Sequence, residues 1–125
     1  MMKELKVIKL KEFEKDLKKL EKRFRTIKED LSNLIDFQLK LYHLENIDNN
    51  GIFEIPGLGL EPLGFYKVKK FACRSLKNKG ARTGLRLIYT YLESENKIEL
   101  IEIYFKQDKE NEDRDRIMQH YKKSD

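Results

Sequence analysis

The segment FYKVKKFACRSLKNKGARTGLRLIYTYL, residues 65–92, contains two strand-like runs. Residues 65–73 and 85–92 are rich in aromatic and β-branched side chains, whereas residues 75–84 between them contain Gly, Asn, Ser and Lys. Such a pattern is typical of two strands joined by a loop. The segment therefore predicts a β-hairpin with a long connecting loop.

Positive charge is concentrated in the same part of the chain. Residues 62–92 contain eight Lys and Arg residues and no Asp or Glu, although the net charge of the whole chain is only +5. Alternation along a strand places Lys67 and Lys69 on one side, and Arg86 stands beside them if the two runs pair. The block predicts a polyanionic partner such as nucleic acid. The alternative is a solvated strand face.

Aromatic residues lie close to these cations in the sequence. Tyr66, Phe71, Tyr89 and Tyr91 fall within the two predicted strands. Rings of this kind stack on the bases of single-stranded RNA where Lys and Arg hold the phosphates. They also form cores. A core position is the better interpretation for Phe71 and Tyr89, and both interpretations stay open for Tyr66 and Tyr91.

The N-terminal part of the chain has the pattern of a strand followed by helix. Residues 5–10 are short, partly apolar and contain lysines, which predicts an edge strand. From Phe13 to Leu41 the apolar residues recur at spacings of three and four, which is typical of amphipathic helix.

One long helix and two shorter helices both fit this spacing. Thr26 and Glu29 have the spacing of a capping box, in which both side chains satisfy backbone N–H groups at a helix start. We therefore predict two helices, residues 12–25 and 27–46, that pack as a hairpin against a sheet.

The remaining segments complete an α+β pattern. Residues 52–64 hold both prolines and three glycines, which predicts an irregular connector. Residues 98–105 predict a strand with Glu99, Ile101, Ile103 and Phe105 on one face. Residues 110–113, three of which are acidic, then precede a last helix that ends near Tyr121. The length of 125 residues predicts one domain.

Neither a cofactor nor a metal is predicted. The chain lacks the phosphate-binding, dinucleotide-binding and metalloprotease motifs, and Cys73 is its one cysteine, interpreted as a small apolar strand residue. His43 and His120 lie on separate predicted helices, and the acidic residues 108–115 lack the spacing of a calcium loop. No apolar stretch reaches the length of a membrane span, and no secretory signal is recognisable, so a cytoplasmic protein is expected.

The order of elements and three short motifs carry a resemblance to a known family. The motifs are FYKVKK at residues 65–70, GLRLIY at 84–89 and IEIYFK at 101–106. They resemble the strands of RelE/ParE superfamily toxins, over nearly the whole chain. The resemblance implies a single domain, residues 1–125, with a four-stranded antiparallel sheet on an N-terminal helical hairpin and a short C-terminal helix. It also implies a cognate antitoxin and, for RelE-like members, ribosome-dependent mRNA cleavage.

The resemblance also implies catalytic residues. The lysines of the Tyr-Lys-x-Lys strand match Lys67 and Lys69, and the arginine of the Gly-x-Arg-Leu strand matches Arg86. The further Arg or His and the Tyr that family members often carry after the last strand have no match here. Glu110 is the nearby acid to test, and Tyr104 is available if it faces the cleft.

A chemical scheme follows for a ribonuclease of this type. One of the two lysines takes the proton of the 2′-OH, and Arg86 stabilises the charge that develops on the phosphate oxygens. The other cations of this region are expected to hold RNA backbone without sequence choice. They are Arg74, Lys77, Lys79, Arg82, Lys106 and Lys109.

Two other functions remain open at this point. A ParE-like toxin would inhibit a topoisomerase, and the Tyr-Lys-x-Lys pattern argues against it. A non-catalytic module of the same fold would bind RNA or a protein partner without cutting. The ribosome and mRNA are the partners expected for the nuclease.

Overall fold

The computed structural model describes residues 4–122, so the first and last three residues of the predicted domain 1–125 lie outside the described part. Five strands form one sheet, and the helices pack on its two faces. The strands are β1 (Lys6–Lys9), β2 (Ile52–Glu54), β3 (Gly64–Val68), β4 (Leu85–Leu92) and β5 (Lys97–Phe105). The helices are α1 (Lys11–Glu21), α2 (Ile27–Leu34), α3 (Lys40–Glu45) and α4 (Arg114–Tyr121), with a π-helical turn at Ile35–Leu39 and a 3-10 turn at Glu93–Glu95.

The sheet is mixed, with the strand order β1-β5-β4-β3-β2. β1 runs parallel to β5, and the other neighbours are antiparallel. The α+β class is therefore confirmed, whereas a four-stranded, purely antiparallel sheet was wrong. The fifth strand, β2, lies within the segment predicted as an irregular connector, because three residues there pair with β3. β1 lies at the edge of the sheet, beside β5 and far from it in the sequence, so no hairpin turn forces the two strands to be antiparallel.

The predicted helical hairpin is present. α1 is followed by α2, which continues through the π-helical turn into α3. The predicted reason for the break between α1 and α2 was wrong, since no side chain caps the start of α2. Thr26 Oγ1 instead donates to Asp30 at 2.6 Å and lies 2.9 Å from Ser75 Oγ. Tertiary contacts with the loop after β3 hold this corner.

The core has two layers, one on each face of the sheet. The helical hairpin covers one face, where Phe13, Leu17, Ile27 and Leu31 are buried with alternate residues of β4 and β5. On the other face, α4 contributes Ile117 to a smaller cluster. Because both faces are covered, the central strands are apolar on both sides.

A β-bulge changes the face of residues in β5. The pairing register with β4 shifts between Ile88 and Tyr89, where Glu102 pairs with Ile88 but Leu100 pairs with Tyr89. Ile101 consequently packs in the α4 layer, whereas Ile103 and Phe105 pack in the hairpin layer. The prediction that Glu99, Ile101, Ile103 and Phe105 share a face was wrong, because simple alternation takes no account of a bulge.

The segment between β3 and β4 is longer than predicted. β3 ends at Val68, so residues 69–84 form the connection, and Cys73 is a buried loop residue and not a strand residue. None of the helices between residues 4 and 122 is long and apolar enough to cross a membrane.

Candidate nucleic-acid interface

A cleft of about 710 Å³ opens at the end of the sheet where β4 begins and β5 ends. Six of the twelve described residues that line it are Lys or Arg, and none of the twelve is Asp or Glu. Cations from four separate parts of the chain converge there. They are Arg23, Lys69, Lys79, Arg82, Arg86 and Lys106. We call this site the cationic cleft.

The backbone geometry at Gly84 brings the two sides of the cationic cleft together. Gly84 has φ +88, a left-handed conformation that favours glycine, and a Cβ there would lie 3.4 Å from the Phe105 ring. The Lys106 N–H donates to the Gly84 carbonyl at 2.8 Å. Thr83 Oγ1 donates to the Phe71 carbonyl at 2.6 Å, and this bond joins the two ends of the loop between β3 and β4. Arg82, Arg86 and Lys106 are thereby held around one short turn.

Lys69 and Arg86 lie together on one wall of the cationic cleft. The Arg86 guanidinium donates to the Lys69 carbonyl at 3.3 Å. Lys69 Nζ lies 4.9 Å from the centre of the Phe53 ring, a cation–π distance. The structure thus brings two of the three predicted catalytic cations into the lining of one cleft.

Lys67 points elsewhere. Its ammonium forms an ion pair with Glu112 at 2.5 Å, and only 16% of the lysine and 6% of the glutamate side chain is exposed. Burial by itself raises the pKa of Glu112, but the bonds from Lys67 and Arg114 outweigh it and lower that pKa. The expectation that Lys67, Lys69 and Arg86 converge is therefore wrong for Lys67, because a carboxylate 45 positions away in the sequence holds it.

Other predicted residues also have carboxylate partners. Arg74 pairs with Glu29 and Asp30 at the start of α2. Lys109 pairs with the buried Glu102, and its ammonium lies 5.4 Å from the centre of the Tyr104 ring. Neither cation lines the cationic cleft.

Two further predicted residues are exposed and lie outside the cationic cleft. Lys77 belongs to the same loop as Lys79 but does not line the cleft, and Glu110 lies in the turn before α4. Glu110 therefore does not face Lys69 and Arg86. Its predicted role in the reaction has no geometric support.

Tyr104 does not face the cationic cleft either. Its side chain is buried opposite Arg86 in the β4–β5 pairing, and its hydroxyl has no hydrogen-bond partner among residues 4–122. Burial, with the nearby carboxylates of Glu112 and Glu102, raises the pKa of Tyr104 to about 12. The phenol is consequently protonated at neutral pH.

Arg23 lines the cationic cleft, although the charge pattern of the sequence does not single it out. It follows α1, its guanidinium carbon lies 5.2 Å from the ring centres of both Phe24 and Phe105, and it pairs with Asp108. The helical region has balanced charge, with 12 basic and 12 acidic residues up to position 61, so Arg23 did not stand out. The sequence feature that could have indicated Arg23 is its position next to Phe24, just after the end of α1.

Asp30 anchors the loop that carries Lys79 and Arg82. Only 4% of its side chain is exposed, and it accepts bonds from Thr26 Oγ1 at 2.6 Å and from the Arg74 N–H at 3.0 Å. Burial opposes the charged form, but these hydrogen bonds outweigh it and lower the pKa of Asp30. A charged Asp30 therefore ties α2 to the start of the loop.

Comparison with known proteins gives two similar solved structures. A chain of the archaeal RelE–RelB complex from Pyrococcus horikoshii OT3 is 17% identical, with a TM-score of 0.46 over 79% of this chain and 91% of that chain. The conserved hypothetical protein HP0892 from Helicobacter pylori is 22% identical, also with a TM-score of 0.46, over 83% of this chain and 97% of that chain. No family model and no curated protein matches. Roles of individual residues therefore rest on the geometry of this chain.

The aromatic residues considered for base stacking lie away from the cationic cleft. Phe71 and Tyr89 are fully buried, in agreement with the core interpretation. Tyr66 and Tyr91 pack on the hairpin face, near the opposite end of β4. Among residues 4–122, no three His, Cys, Asp or Glu side chains are grouped so that they could hold a metal ion.

Proposed function

We propose that the cationic cleft binds the sugar-phosphate backbone of RNA. The observation that carries the proposal is the convergence of six Lys and Arg side chains in a cleft whose described lining includes no carboxylate. Like charges that share one cleft repel each other, so the arrangement lowers the stability of the fold unless an anion binds there. The buried rings of Phe24 and Phe105 form an apolar floor below the cations.

Our finer proposal is that this chain is a RelE-like toxin that cuts mRNA on the ribosome. Support comes from the sequence motifs and from the pair formed by Lys69 and Arg86. In this scheme Lys69 takes the proton from the 2′-OH, the 2′-oxygen attacks the phosphorus, and the Arg86 guanidinium stabilises the phosphorane with its planar set of donors. The bond from phosphorus to the 5′-oxygen then breaks, and the proton returns from Lys69 to that oxygen. Lys79, Arg82 and Lys106 hold neighbouring phosphates. A cognate antitoxin, which the sequence resemblance implies, would keep the activity in check.

Primer extension on mRNA from induced cells tests this proposal directly. We expect cuts in translated mRNA, and we expect these cuts to be absent from mRNA that ribosomes are prevented from binding. Lys69→Ala or Arg86→Ala should lower the cutting rate by about tenfold to a thousandfold, the scale of one lost charge or proton-transfer group. Lys77→Ala is the matched control, because Lys77 is an exposed loop lysine that does not line the cationic cleft. If the wild-type protein produces no cuts, the proposal that it is a nuclease is wrong.

The second candidate is an RNA-binding module without catalysis. The ion pair between Lys67 and Glu112 favours it, because one of the two lysines expected to act is engaged with a carboxylate. Purified protein with a labelled single-stranded RNA separates the candidates. A non-catalytic module binds through Lys69 and Arg86 and leaves the RNA intact with ribosomes present. Glu112→Gln, which releases Lys67, should raise cutting only if Lys67 takes part in the reaction.

A further inference from the structure

A second cavity lies at the opposite end of β4 from the cationic cleft. It has a volume of about 350 Å³ and sits between α3, β3 and the turn after β4. Six residues line it: Tyr42, His43, Asn46, Tyr66, Tyr91 and Glu93. We call it the aromatic pocket, and the proposed RNA function does not use it.

The rings of the aromatic pocket are packed around His43. The His43 ring stacks on Tyr91 with centres 4.2 Å apart and an angle of 26°. It meets Tyr42 at 4.8 Å and Tyr66 at 5.0 Å, both nearly edge to face. Four aromatic rings therefore surround one cavity, and aromatic faces carry the negative end of a quadrupole.

Interactions beneath the pocket fix the positions of these rings. His43 Nε2 lies 2.6 Å from the hydroxyl of the fully buried Tyr89. Gly64 pairs with Tyr91, and a Cβ at Gly64 would lie 3.0 Å from the Tyr66 hydroxyl. The absence of a side chain at Gly64 thus gives the Tyr66 ring its position. The site is organised before any ligand binds.

Charge at the pocket is negative, in contrast to the chain as a whole. Glu93 is exposed and lines the cavity, whose described lining contains no Lys or Arg. Burial raises the pKa of the Tyr66 phenol, and the nearby carboxylates of Glu54 and Glu93 raise it further. Burial also lowers the pKa of His43 to about 4, so the imidazole is neutral at pH 7. None of the described residues that line the pocket is a Lys or Arg that would repel a bound cation.

We propose that the aromatic pocket binds an organic cation, a guanidinium or alkylammonium group. The tyrosine rings provide the faces that attract such a cation, and the Glu93 carboxylate provides the charge partner. A nucleobase would also stack on these rings, but the negative charge of Glu93 disfavours the phosphate attached to it. Two sources carry this chemistry: a free small polyamine, and an arginine or lysine side chain of a protein segment.

Histidine NMR provides a specific test on the whole chain. His43 and His120 are the two histidines, and His120 lies on α4, where it bonds to Glu12. Agmatine, a free guanidinium compound, should shift the His43 ring signals saturably and leave those of His120 in place. A short peptide with a central arginine and its glutamine counterpart form the second arm. Tighter binding of the arginine peptide than of agmatine would identify a protein segment as the source, and equal binding would identify a small cation.

Glu93→Gln should weaken agmatine binding about twofold to fivefold, the range for one exposed charge beside aromatic rings. Glu95→Gln is the matched control, because Glu95 belongs to the same turn but does not line the pocket. Both residues are exposed, so both variants keep the fold. The proposal is overturned if agmatine leaves His43 unshifted, if Glu93→Gln binds as well as Glu95→Gln, or if AMP shifts His43 where agmatine does not.

Discussion

The two ends of β4 contrast in charge, in composition and in how their side chains are held. At the Leu85 end, six cations from distant segments surround a cleft over an apolar floor. At the Leu92 end, aromatic rings and a carboxylate surround a pocket whose described lining has no cation. About six residues of extended strand, roughly 20 Å, separate them. One short strand can thus carry two sites of opposite electrostatic character, because its ends are enclosed by different neighbours.

The way each site is held in place also differs. The rings of the aromatic pocket are fixed by packing against one another and by the bond between His43 and Tyr89. Lys79, Arg82 and Lys106 are exposed and depend on the loop and turn that carry them. Such side chains adapt to a flexible polyanion, whereas fixed rings suit a small ligand of defined shape. The contrast predicts different responses to salt, to mutation and to pH.

Salt should produce the largest difference. If the six cations of the cationic cleft each neutralise a phosphate, the slope of log affinity against log salt for single-stranded RNA is about −4. Raising monovalent salt from 50 to 200 mM should then weaken RNA binding by a few hundredfold, as measured by fluorescence anisotropy. Agmatine, a dication, meets a single carboxylate in the described lining of the aromatic pocket, that of Glu93, so its binding should change by no more than about threefold. Equal salt responses at the two sites would contradict the contrast.

Mutation of Asp30 should come next in size. Asp30→Asn removes charge-assisted bonds to Thr26 and Arg74 inside a nearly buried corner, so we expect a loss of about 2 kcal/mol in the free energy of unfolding. RNA binding should weaken as well, since the loop carrying Lys79 and Arg82 loses its anchor. Urea denaturation and anisotropy measure the two effects.

Glu29→Gln is the control for Asp30. Its carboxylate also pairs with Arg74, but 74% of the side chain is exposed. Exposed pairs contribute about 0–1 kcal/mol, so this variant should unfold close to the wild type. A Glu29→Gln loss as large as that of Asp30→Asn would show that the Arg74 charge, and not the buried corner, holds the loop.

Local sequence patterns predicted most of the elements that carry the two sites, but they did not predict the contacts between residues that are distant in the chain. Spacing predicted the N-terminal helical region, and composition predicted the strands β3 and β4. Alternation failed for Lys67 and Lys69, because β3 ends at Val68 and Lys67 turns to Glu112. The engagement of Lys67 by Glu112 and the entry of Arg23 into the cationic cleft depend on contacts between residues far apart in the chain. The pairing of β2 with β3 escaped prediction for a related reason, because a three-residue strand carries almost no periodic signal.

Acid should have the smallest effect, and it should act at the aromatic end. Because burial lowers the pKa of His43 to about 4 from an ordinary value near 6.5, the unfolded chain binds a proton more readily than the folded chain. The contribution of His43 to stability is therefore complete above pH 6.5 and is lost as pH falls from 6.5 to about 4. The groups that face His43 are the phenols of Tyr42, Tyr66, Tyr89 and Tyr91, and Glu93 shares the pocket. His43→Phe keeps a ring in the pocket but cannot titrate, so its urea midpoint should fall less between pH 6.5 and 4.5 than that of the wild type.

Glu93→Gln controls for the carboxylate, and its pH response should follow the wild type in the upper part of the range. A His43→Phe variant with the same pH response as the wild type would mean that the pKa of His43 does not differ between the folded and the unfolded protein, which would contradict its burial as a neutral ring.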